Sequence, residues 1–295
     1  MRLSESLKKY FTDIQSPHYY YGRSVINLAL HNSARHINFF RRRGPSKHLL
    51  ENTKLLKNVC SEKTALILGN GPSLNKIDYA FIENEINDIF VVNDFYMTDA
   101  ANHIVPTFYV FSDPASFFNT HDGHRHSKDN LLQYLNKISP TLILSHFARK
   151  SFFVNSFNTL FFDDREWNFF SRNTSPLKPR CYTSITSLKA LAFASFMGYK
   201  HIYILGFDNT EFIGYRSDIN NKLWLETKST YSSKRNEENK FLDMSGFVSG
   251  LAGRLQSYSH AYGDLKRFNR KIVFNLDPES LITNFEKKLN GLDKH

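Results

Sequence analysis

The stretch TALILGNGPSL, residues 64–74, decides the fold that the sequence predicts. Four apolar residues at 65–68 run directly into the turn Gly69-Asn70-Gly71-Pro72-Ser73. A buried strand that ends in a glycine-rich turn before a helix is a common phosphate site, because glycine lets backbone N–H groups approach an anion closely. The spacing matches neither the dinucleotide fingerprint nor a P-loop, so an ordinary structural turn remains the alternative.

Apolar runs continue along the chain and alternate with helix-sized gaps, which predicts a single doubly wound, mostly parallel α/β sheet. A clear helix pattern covers residues 184–197 and stops at Gly198, and a weaker one covers 247–268. A short helical stretch is predicted at 49–57. The candidate strands are 65–68, 89–92, 107–111, 141–144, 159–162, 201–205 and 271–275.

Composition divides the 295 residues into a basic helical appendage (1–60) and an α/β domain (61–295) with a polar, aromatic lid at about 209–245. The two cysteines, Cys60 and Cys181, suit a reducing compartment. No signal peptide or membrane span is recognisable, so we expect a cytoplasmic protein. The histidines lack ligand spacing, and no metal site is expected.

The positive charge is concentrated near the N-terminus. Residues 1–60 hold eleven Lys and Arg against three Asp and Glu. An amphipathic helix is predicted over residues 19–43, ending in Arg41, Arg42 and Arg43. This segment can dock on an anionic inner membrane surface, pack on the catalytic domain or bind nucleic acid. No nucleic-acid module is recognisable, so no nucleic-acid partner is expected, and homo-oligomerisation is left open.

Polar residues follow four of the predicted strands, where parallel sheets bind ligands. They are Asn70 and Ser73, then Asn93 and Asp94, then Ser112 and Asp113, and finally Gly206 to Asn209. Hydroxyl residues at 182–187 also precede the best predicted helix. Such residues hold phosphate and sugar groups, but they also cap helices and fill turns, and both interpretations stay open.

Several motifs together resemble the bacterial sialyltransferases of glycosyltransferase family 42 and the related MptE-like domain. They are GNGPSL (69–74), VVNDFY (91–96), FSDPASFF (111–118), MGYKHIYILGFD (197–208) and NLDPESLITNF (275–285), the last resembling the family's closing strand-to-helix turn. The resemblance covers residues 64–285. It implies a Rossmann-like, GT-A-like variant with a small lid, a CMP-activated sialic acid or related nonulosonic acid as donor, no metal cofactor and a glycan acceptor.

The resemblance also implies roles for individual residues. Asn70, Asn93 and Asp113 would contact cytidine and ribose, although the family has an amide at the position of Asp113. Thr186 and Ser187 would hold sugar or phosphate, and Tyr215 in the lid would stabilise the departing phosphate. The full set of predicted nucleotide-sugar contacts is Gly69, Asn70, Gly71, Ser73, Asn93, Asp113, Thr186, Ser187 and Asp208.

The catalytic base departs from the family pattern. The sialyltransferases use a lid histidine, which suits an imidazole near neutral pH. This chain has no histidine between residues 208 and 247, which leaves His260, inside the last predicted helix, and Asp243, just before it. The segment DMSGFVSG (243–250) resembles the MptE-like branch more than the sialyltransferases.

These observations predict a metal-independent, inverting glycosyltransferase that acts on a bacterial surface glycan such as lipooligosaccharide or capsule. The basic N-terminus would dock it peripherally on the inner membrane. Two alternatives remain. One is an MptE-like pyrophosphokinase that uses ATP and a divalent metal, and the other is a non-catalytic nucleotide- or glycan-binding protein.

Overall fold

The computed structural model describes residues 37, 39–112, 128–165, 173–179, 185–208, 265 and 267–288, together with the backbone of three short strands between 215 and 237. Five α-helices lie entirely within these residues: α1 (Lys47–Leu55), α2 (Tyr79–Glu85), α3 (Lys128–Ile138), α4 (Phe152–Ser156) and α5 (Thr186–Met197). The strands are β1 (Thr64–Leu68), β2 (Asp88–Val92), β3 (Phe108–Phe111), β4 (Thr141–Ser145), β5 (Thr159–Phe162), β6 (His201–Leu205), β7 (Tyr215–Ser217), β8 (Leu223–Ser229), β9 (Ser232–Glu237), β10 (Val273–Asn275) and β11 (Glu286–Lys287).

Eight strands form one sheet in the order β11-β10-β6-β1-β2-β3-β4-β5. Every neighbouring pair in it is parallel. All seven predicted strands are present, with bounds shifted by no more than two residues. The prediction of a single doubly wound α/β sheet is therefore confirmed.

The strand order places a change of direction in the middle of the sheet. From β1 to β5 the chain moves steadily toward one edge, and it then returns so that β6 pairs with the other side of β1. In open parallel sheets, ligands bind outside the carboxyl ends of the strands at such a switch point. The fold thus marks the turns after β1 and β6 as the first place to search for a site.

Helices cover both faces of the sheet. Helix α5 is apolar on all sides and nearly fully buried, as expected for a helix enclosed by the core, and Phe193 and Leu191 belong to the same cluster as Phe90 of β2. The opposite face packs Phe81 of α2 and Leu135 of α3 with neighbouring strands. Gly198 ends α5 with φ 78°, the left-handed conformation that its position predicted.

The segment before β1 packs on the α/β domain. Thr53 of α1 donates its hydroxyl to the Phe161 carbonyl at 2.8 Å and accepts the Phe161 N–H at 3.2 Å. The backbone N–H of Asn58 donates to the Phe196 carbonyl at the end of α5, at 3.1 Å. Residues 47–60 therefore pack on the α/β domain, and α1 confirms the helix predicted at 49–57 with slightly earlier bounds.

The region predicted as an irregular lid contains the antiparallel sheet β7-β8-β9. The sequence analysis missed these strands because their register pairs Glu226 with Arg235 and Thr227 with Lys234, so charged and polar residues stand where apolar alternation would have indicated a strand. The strand-to-helix turn that the resemblance implied at 275–285 is not formed, since residues 276–285 form turns that lead into β11. The helices predicted at 19–43 and 247–268 lie mostly outside the described residues.

Within the described ranges, none of the helices combines the length and apolar character that crossing a bilayer requires.

Candidate active site

The turns after β1 and β6 are bound directly to one another at the switch point. The N–H of Gly69 donates to the Leu205 carbonyl at 2.8 Å, and that of Gly71 donates to the Gly206 carbonyl at 3.0 Å. A Cβ on Gly69 would lie only 2.3 Å from the Gly206 oxygen. Glycine is thus required at position 69 by the close approach of two backbones.

Ser73 and Asp208 complete this junction. The Ser73 N–H and hydroxyl donate to Oδ1 and Oδ2 of Asp208 at 3.0 and 2.9 Å, and the Ser73 hydroxyl accepts the Gly206 N–H at 3.1 Å. Burial raises the pKa of Asp208, the two hydrogen bonds from Ser73 oppose the rise, and the Asp277 charge adds to it. Asp208 therefore accepts hydrogen bonds from both donors of Ser73, although the sequence analysis assigned each of these residues to nucleotide-sugar contacts.

The glycine turn does not lead directly into an α-helix, as the sequence analysis expected. Residues Pro72–Lys76 form a 3₁₀ turn, and α2 begins only at Tyr79. Direct ligand contacts by Gly69, Gly71, Ser73 and Asp208 remain predictions, and what the described residues establish is their contact with one another.

A hydrogen-bonded chain of three side chains crosses the carboxyl ends of β2 and β3. Asn93 Nδ2 donates to Thr186 Oγ1 at 3.2 Å, and the hydroxyls of Thr186 and Ser112 are 2.5 Å apart. Thr186 is the first residue of α5, and the side chain of the N-cap residue Ile185 makes no capping hydrogen bond. These three residues therefore surround a helix end whose first N–H groups suit an anion.

The backbone of Asn93 is held in an unusual conformation. Its φ of 44° lies in the left-handed region, which asparagine tolerates better than most residues. The buried Tyr109 hydroxyl donates to the Asn93 carbonyl at 2.7 Å and accepts the Tyr96 N–H at 3.1 Å. Burial raises the pKa of Tyr109 well above its usual value, so the phenol keeps its proton and this link persists.

Asn93 also offers a binding group. Its Oδ1 is buried and accepts no hydrogen bond from the residues that the structure describes. Asn70, on the neighbouring turn, donates its Nδ2 to the Val92 carbonyl at 3.2 Å, which ties the two turns together. A ligand with an N–H or O–H donor near Asn93 and an anionic group near the start of α5 would match this arrangement.

A buried cluster of charged and polar groups lies beside this chain, at the carboxyl ends of β4 and β5. Lys189, one turn along α5 from Thr186, is 2% exposed, and its Nζ is 3.3 Å from Asp164 Oδ1. The N–H of Asp164 donates to His146 Nδ1 at 3.1 Å. This cluster attaches the start of α5 to the sheet.

Sequence reasoning missed this buried cluster, although the pair Asp163-Asp164 directly after a predicted strand was a usable signal. It also missed Tyr109, which looks like an ordinary strand aromatic, and it noted Ser112 without assigning it a role. Each of these residues acquires its partner only through the fold.

Several predicted site residues cannot be placed. Asp113, Asp243 and His260 lie outside the described residues, and for Tyr215 only the backbone of β7 is described. Ser187 follows Thr186 in α5 and is partly exposed. Among the described residues, no group of three or more His, Cys, Asp or Glu side chains is arranged to hold a metal ion.

The parallel doubly wound sheet, with polar side chains gathered at its carboxyl edge, defines a Rossmann-like α/β protein. The profile of one family, described as "6-hydroxymethylpterin diphosphokinase MptE-like", matches residues 31–211, which is more than half of the chain. The chain belongs to this MptE-like family. The MptE-like part of the predicted resemblance is thereby confirmed.

Solved structures of Campylobacter sialyltransferases are also similar to this chain. CstII from Campylobacter jejuni in complex with CMP-3FNeuAc is 20% identical, with a TM-score of 0.46 over 79% of this chain and 89% of that one. CST-II in complex with a trisaccharide acceptor and CMP is 21% identical, with a TM-score of 0.45 over 79% and 88%. The monofunctional α-2,3-sialyltransferase Cst-I from Campylobacter jejuni is 18% identical, with a TM-score of 0.45 over 79% and 83%. No curated protein matches the chain.

Proposed function

We propose that this protein is a glycosyltransferase that moves sialic acid or a related nonulosonic acid from a CMP-sugar to a bacterial surface glycan, either lipooligosaccharide or capsule. The observation that carries the proposal is the chain Asn93–Thr186–Ser112, which lies at the carboxyl edge and at the start of α5. The sequence motifs shared with the sialyltransferases supply the donor class.

In this proposal the nucleotide lies across the ends of β1 to β3. Asn93 Oδ1 accepts a hydrogen bond from the cytidine or ribose, because it is buried and accepts none from the described residues. Asn70 and Asp113 make the neighbouring contacts. The phosphate lies at the start of α5, where the N–H groups and the hydroxyls of Thr186 and Ser187 bind it.

The reaction is a single displacement with inversion. The acceptor hydroxyl oxygen forms the new bond to the anomeric carbon while the bond to the CMP oxygen breaks and the electron pair leaves with CMP. Asp243 takes the acceptor proton, with His260 as the alternative base. Tyr215 and the first N–H groups of α5 stabilise the charge that develops on the phosphate.

Purified full-length protein tests the donor assignment by thermal shift with CMP, CDP, UDP, GDP and ATP, each with and without Mg²⁺. A ligand at 100 times its dissociation constant stabilises the folded state by about 2.7 kcal/mol, which is easily measured. Selective stabilisation by CMP without Mg²⁺ supports the proposal. Stabilisation by ATP only with Mg²⁺ overturns it in favour of diphosphate transfer, the activity for which the MptE-like family is named.

Transfer assays then test the chemistry. CMP release from CMP-sialic acid in the presence of a lipooligosaccharide extract should fall at least about 100-fold in Asp243→Asn, as expected for loss of a general base. His260→Gln is the parallel variant, and whichever loses activity while keeping its CMP-induced thermal shift identifies the base. Tight CMP binding with no transfer or hydrolysis in wild type would instead identify a non-catalytic binding protein.

A further inference from the structure

The basic segment at residues 39–44 lies at the carboxyl edge of the sheet. The Arg165 guanidinium, just after β5, is 4.9 Å from the centre of the Phe39 ring. The Arg42 guanidinium is 5.5 Å from the ring of Phe147, which follows β4. Residues 39–44 therefore border the same edge as the candidate active site.

Arg165 holds this segment in a fixed position. Its guanidinium forms a paired contact with the Asp163 carboxylate, in which Nε donates to Oδ1 at 3.0 Å and Nη2 donates to Oδ2 at 2.7 Å, and Asp163 is 1% exposed. The other side of the guanidinium touches the chain at Gly44, where an added Cβ would lie 2.7 Å from it. A paired fork of this kind is geometrically specific, so the segment has a defined orientation on the domain.

The surface that this segment presents is both cationic and apolar. Residues 37–57 carry six Lys and Arg against the single acid Glu51, and Arg41, Arg42 and Arg43 are all exposed. Among the described residues eight large hydrophobic side chains are exposed, and four of them fall between positions 37 and 59. Ile37 (50%) and Phe40 (75%) lie in or beside the segment at the carboxyl edge, whereas Leu55 (73%) and Val59 (54%) lie at and beyond the far end of α1, toward the amino edge, where Asn58 and Cys60 bind the end of α5.

We propose that Arg41, Arg42 and Arg43, together with the exposed Ile37 and Phe40, form a docking surface for an anionic phospholipid bilayer. Phosphatidylglycerol-type headgroups attract the arginines, and the apolar side chains enter the headgroup layer. Because the segment is fixed beside the carboxyl ends of β4 and β5, docking turns the active-site edge toward the lipid. In this orientation a lipid-anchored acceptor would reach the active site, so this part of the inference rests on the proposed function. Docking on the bilayer does not require that the donor is a CMP-sugar.

Vesicle co-sedimentation of the full chain tests the docking surface. We expect binding to phosphatidylglycerol–phosphatidylcholine vesicles at low salt, little binding to pure phosphatidylcholine, and loss of binding at high salt. Arg41→Glu/Arg43→Glu should lower the partition coefficient by about 30-fold or more, because each cation near an anionic leaflet strengthens binding by roughly fivefold. The matched control is Arg270→Glu/Lys271→Glu, which makes the same charge change at exposed positions before β10, on the opposite edge of the sheet.

Fluorescence tests the orientation. On binding vesicles, Phe40→Trp should show a blue-shifted tryptophan emission that brominated lipid quenches, above the background of Trp167 and Trp224. Val105→Trp is the control and should show neither change, because Val105 is 68% exposed near the amino end of β3. Equal binding to both vesicle types, or equal losses in the two charge-reversal variants, overturns the proposal. Binding of single-stranded DNA without binding of vesicles overturns it in favour of nucleic acid. The vesicle and fluorescence results do not depend on the CMP thermal shift, so failure of the docking proposal can be distinguished from failure of the proposed function.

Discussion

The carboxylate of Asp208 occupies the space that any side chain on Gly71 would need. A Cβ placed on Gly71 would lie 1.8 Å from Asp208 Oδ2 and 2.7 Å from the Gly206 carbonyl. Gly71→Ala should therefore reduce the free energy of unfolding by about 1–3 kcal/mol, the usual cost of overpacking, as measured by urea denaturation. Adding Asp208→Ala should recover part of the loss, because the two residues share one space.

Gly44→Ala is the control for this prediction. Its Cβ would meet the Arg165 guanidinium at an exposed position, whereas that of Gly71 would meet a carboxylate and a backbone carbonyl, so the loss should be smaller. Equal losses at positions 44 and 71, or full additivity of Gly71→Ala with Asp208→Ala, would contradict the packing of these turns.

Thr186→Val should weaken donor binding. The substitution keeps the shape but removes the hydroxyl that joins Asn93 to Ser112. We expect the dissociation constant for CMP to rise about tenfold, which corresponds to roughly 1.4 kcal/mol, in isothermal titration calorimetry. Thr141→Val is the control, because its hydroxyl accepts only an exposed hydrogen bond from Asn158. An unchanged dissociation constant for CMP in Thr186→Val would show that the chain Asn93–Thr186–Ser112 does not contribute to donor binding, and the proposed function would lose its main support.

His146 should make the protein sensitive to mild acid. Burial lowers its pKa from 6.5, although Asp163 and Asp164 raise it, so the folded state binds fewer protons than the unfolded state below about pH 6.5. The resulting stability is present above pH 6.5 and is lost as the pH falls through and below that value. Protonation of Nδ1 would also break its hydrogen bond with the Asp164 N–H.

His146→Asn should reduce this pH dependence, because an amide oxygen can replace Nδ1 as acceptor without titrating. Urea denaturation between pH 5.5 and 8 measures the slope of the unfolding free energy against pH. His48→Asn, at an exposed position, is the matched control. A slope in His146→Asn as steep as in wild type would refute the prediction.

Thr53→Val should destabilise the fold although it removes only one oxygen atom. That buried hydroxyl accepts a hydrogen bond from the Phe161 N–H and donates one to the Phe161 carbonyl. Leaving both groups unpaired should cost about 2–3 kcal/mol in urea denaturation. Thr53→Ser keeps the hydroxyl and should lose clearly less, and a similar loss in both variants would mean that the methyl group matters rather than the hydrogen bonds.

The strands of the main sheet were predictable because each is a short, continuous apolar run bounded by turn residues, the pattern of strands buried on both faces. Asn93 and Thr186 were predictable as polar residues after a strand and at a helix start. Their contact was not, because it joins positions 93 residues apart, and the pair Ser73 and Asp208 is 135 apart. Only the strand order decides which polar turns meet.

The error after β10 has a local cause. The sequence Asp277-Pro278-Glu279 looks like the capped start of a helix, with proline in the first turn. In the structure, however, Asp277 Oδ1 accepts the Glu279 N–H at 2.9 Å and the Ser280 hydroxyl accepts the Ile282 N–H at 3.2 Å. Each of these hydrogen bonds joins a side chain to the backbone N–H two residues further on, which forms a turn in place of a helix. The Ser280 hydroxyl also donates to the Phe207 carbonyl at 2.9 Å, and this bond stabilises the turn.

The edge strand β5 has a consequence for how this molecule meets copies of itself. An uncovered outer strand invites the strand of another chain to pair with it and so begin aggregation. Here the outward Phe161 groups bind Thr53, and the next outward N–H, that of Asp163, donates to the Pro176 carbonyl at 2.9 Å. Two short segments from elsewhere in the chain thus substitute for a neighbouring strand. A homo-oligomer that extends the sheet from β5 is disfavoured, and self-association would have to use another surface.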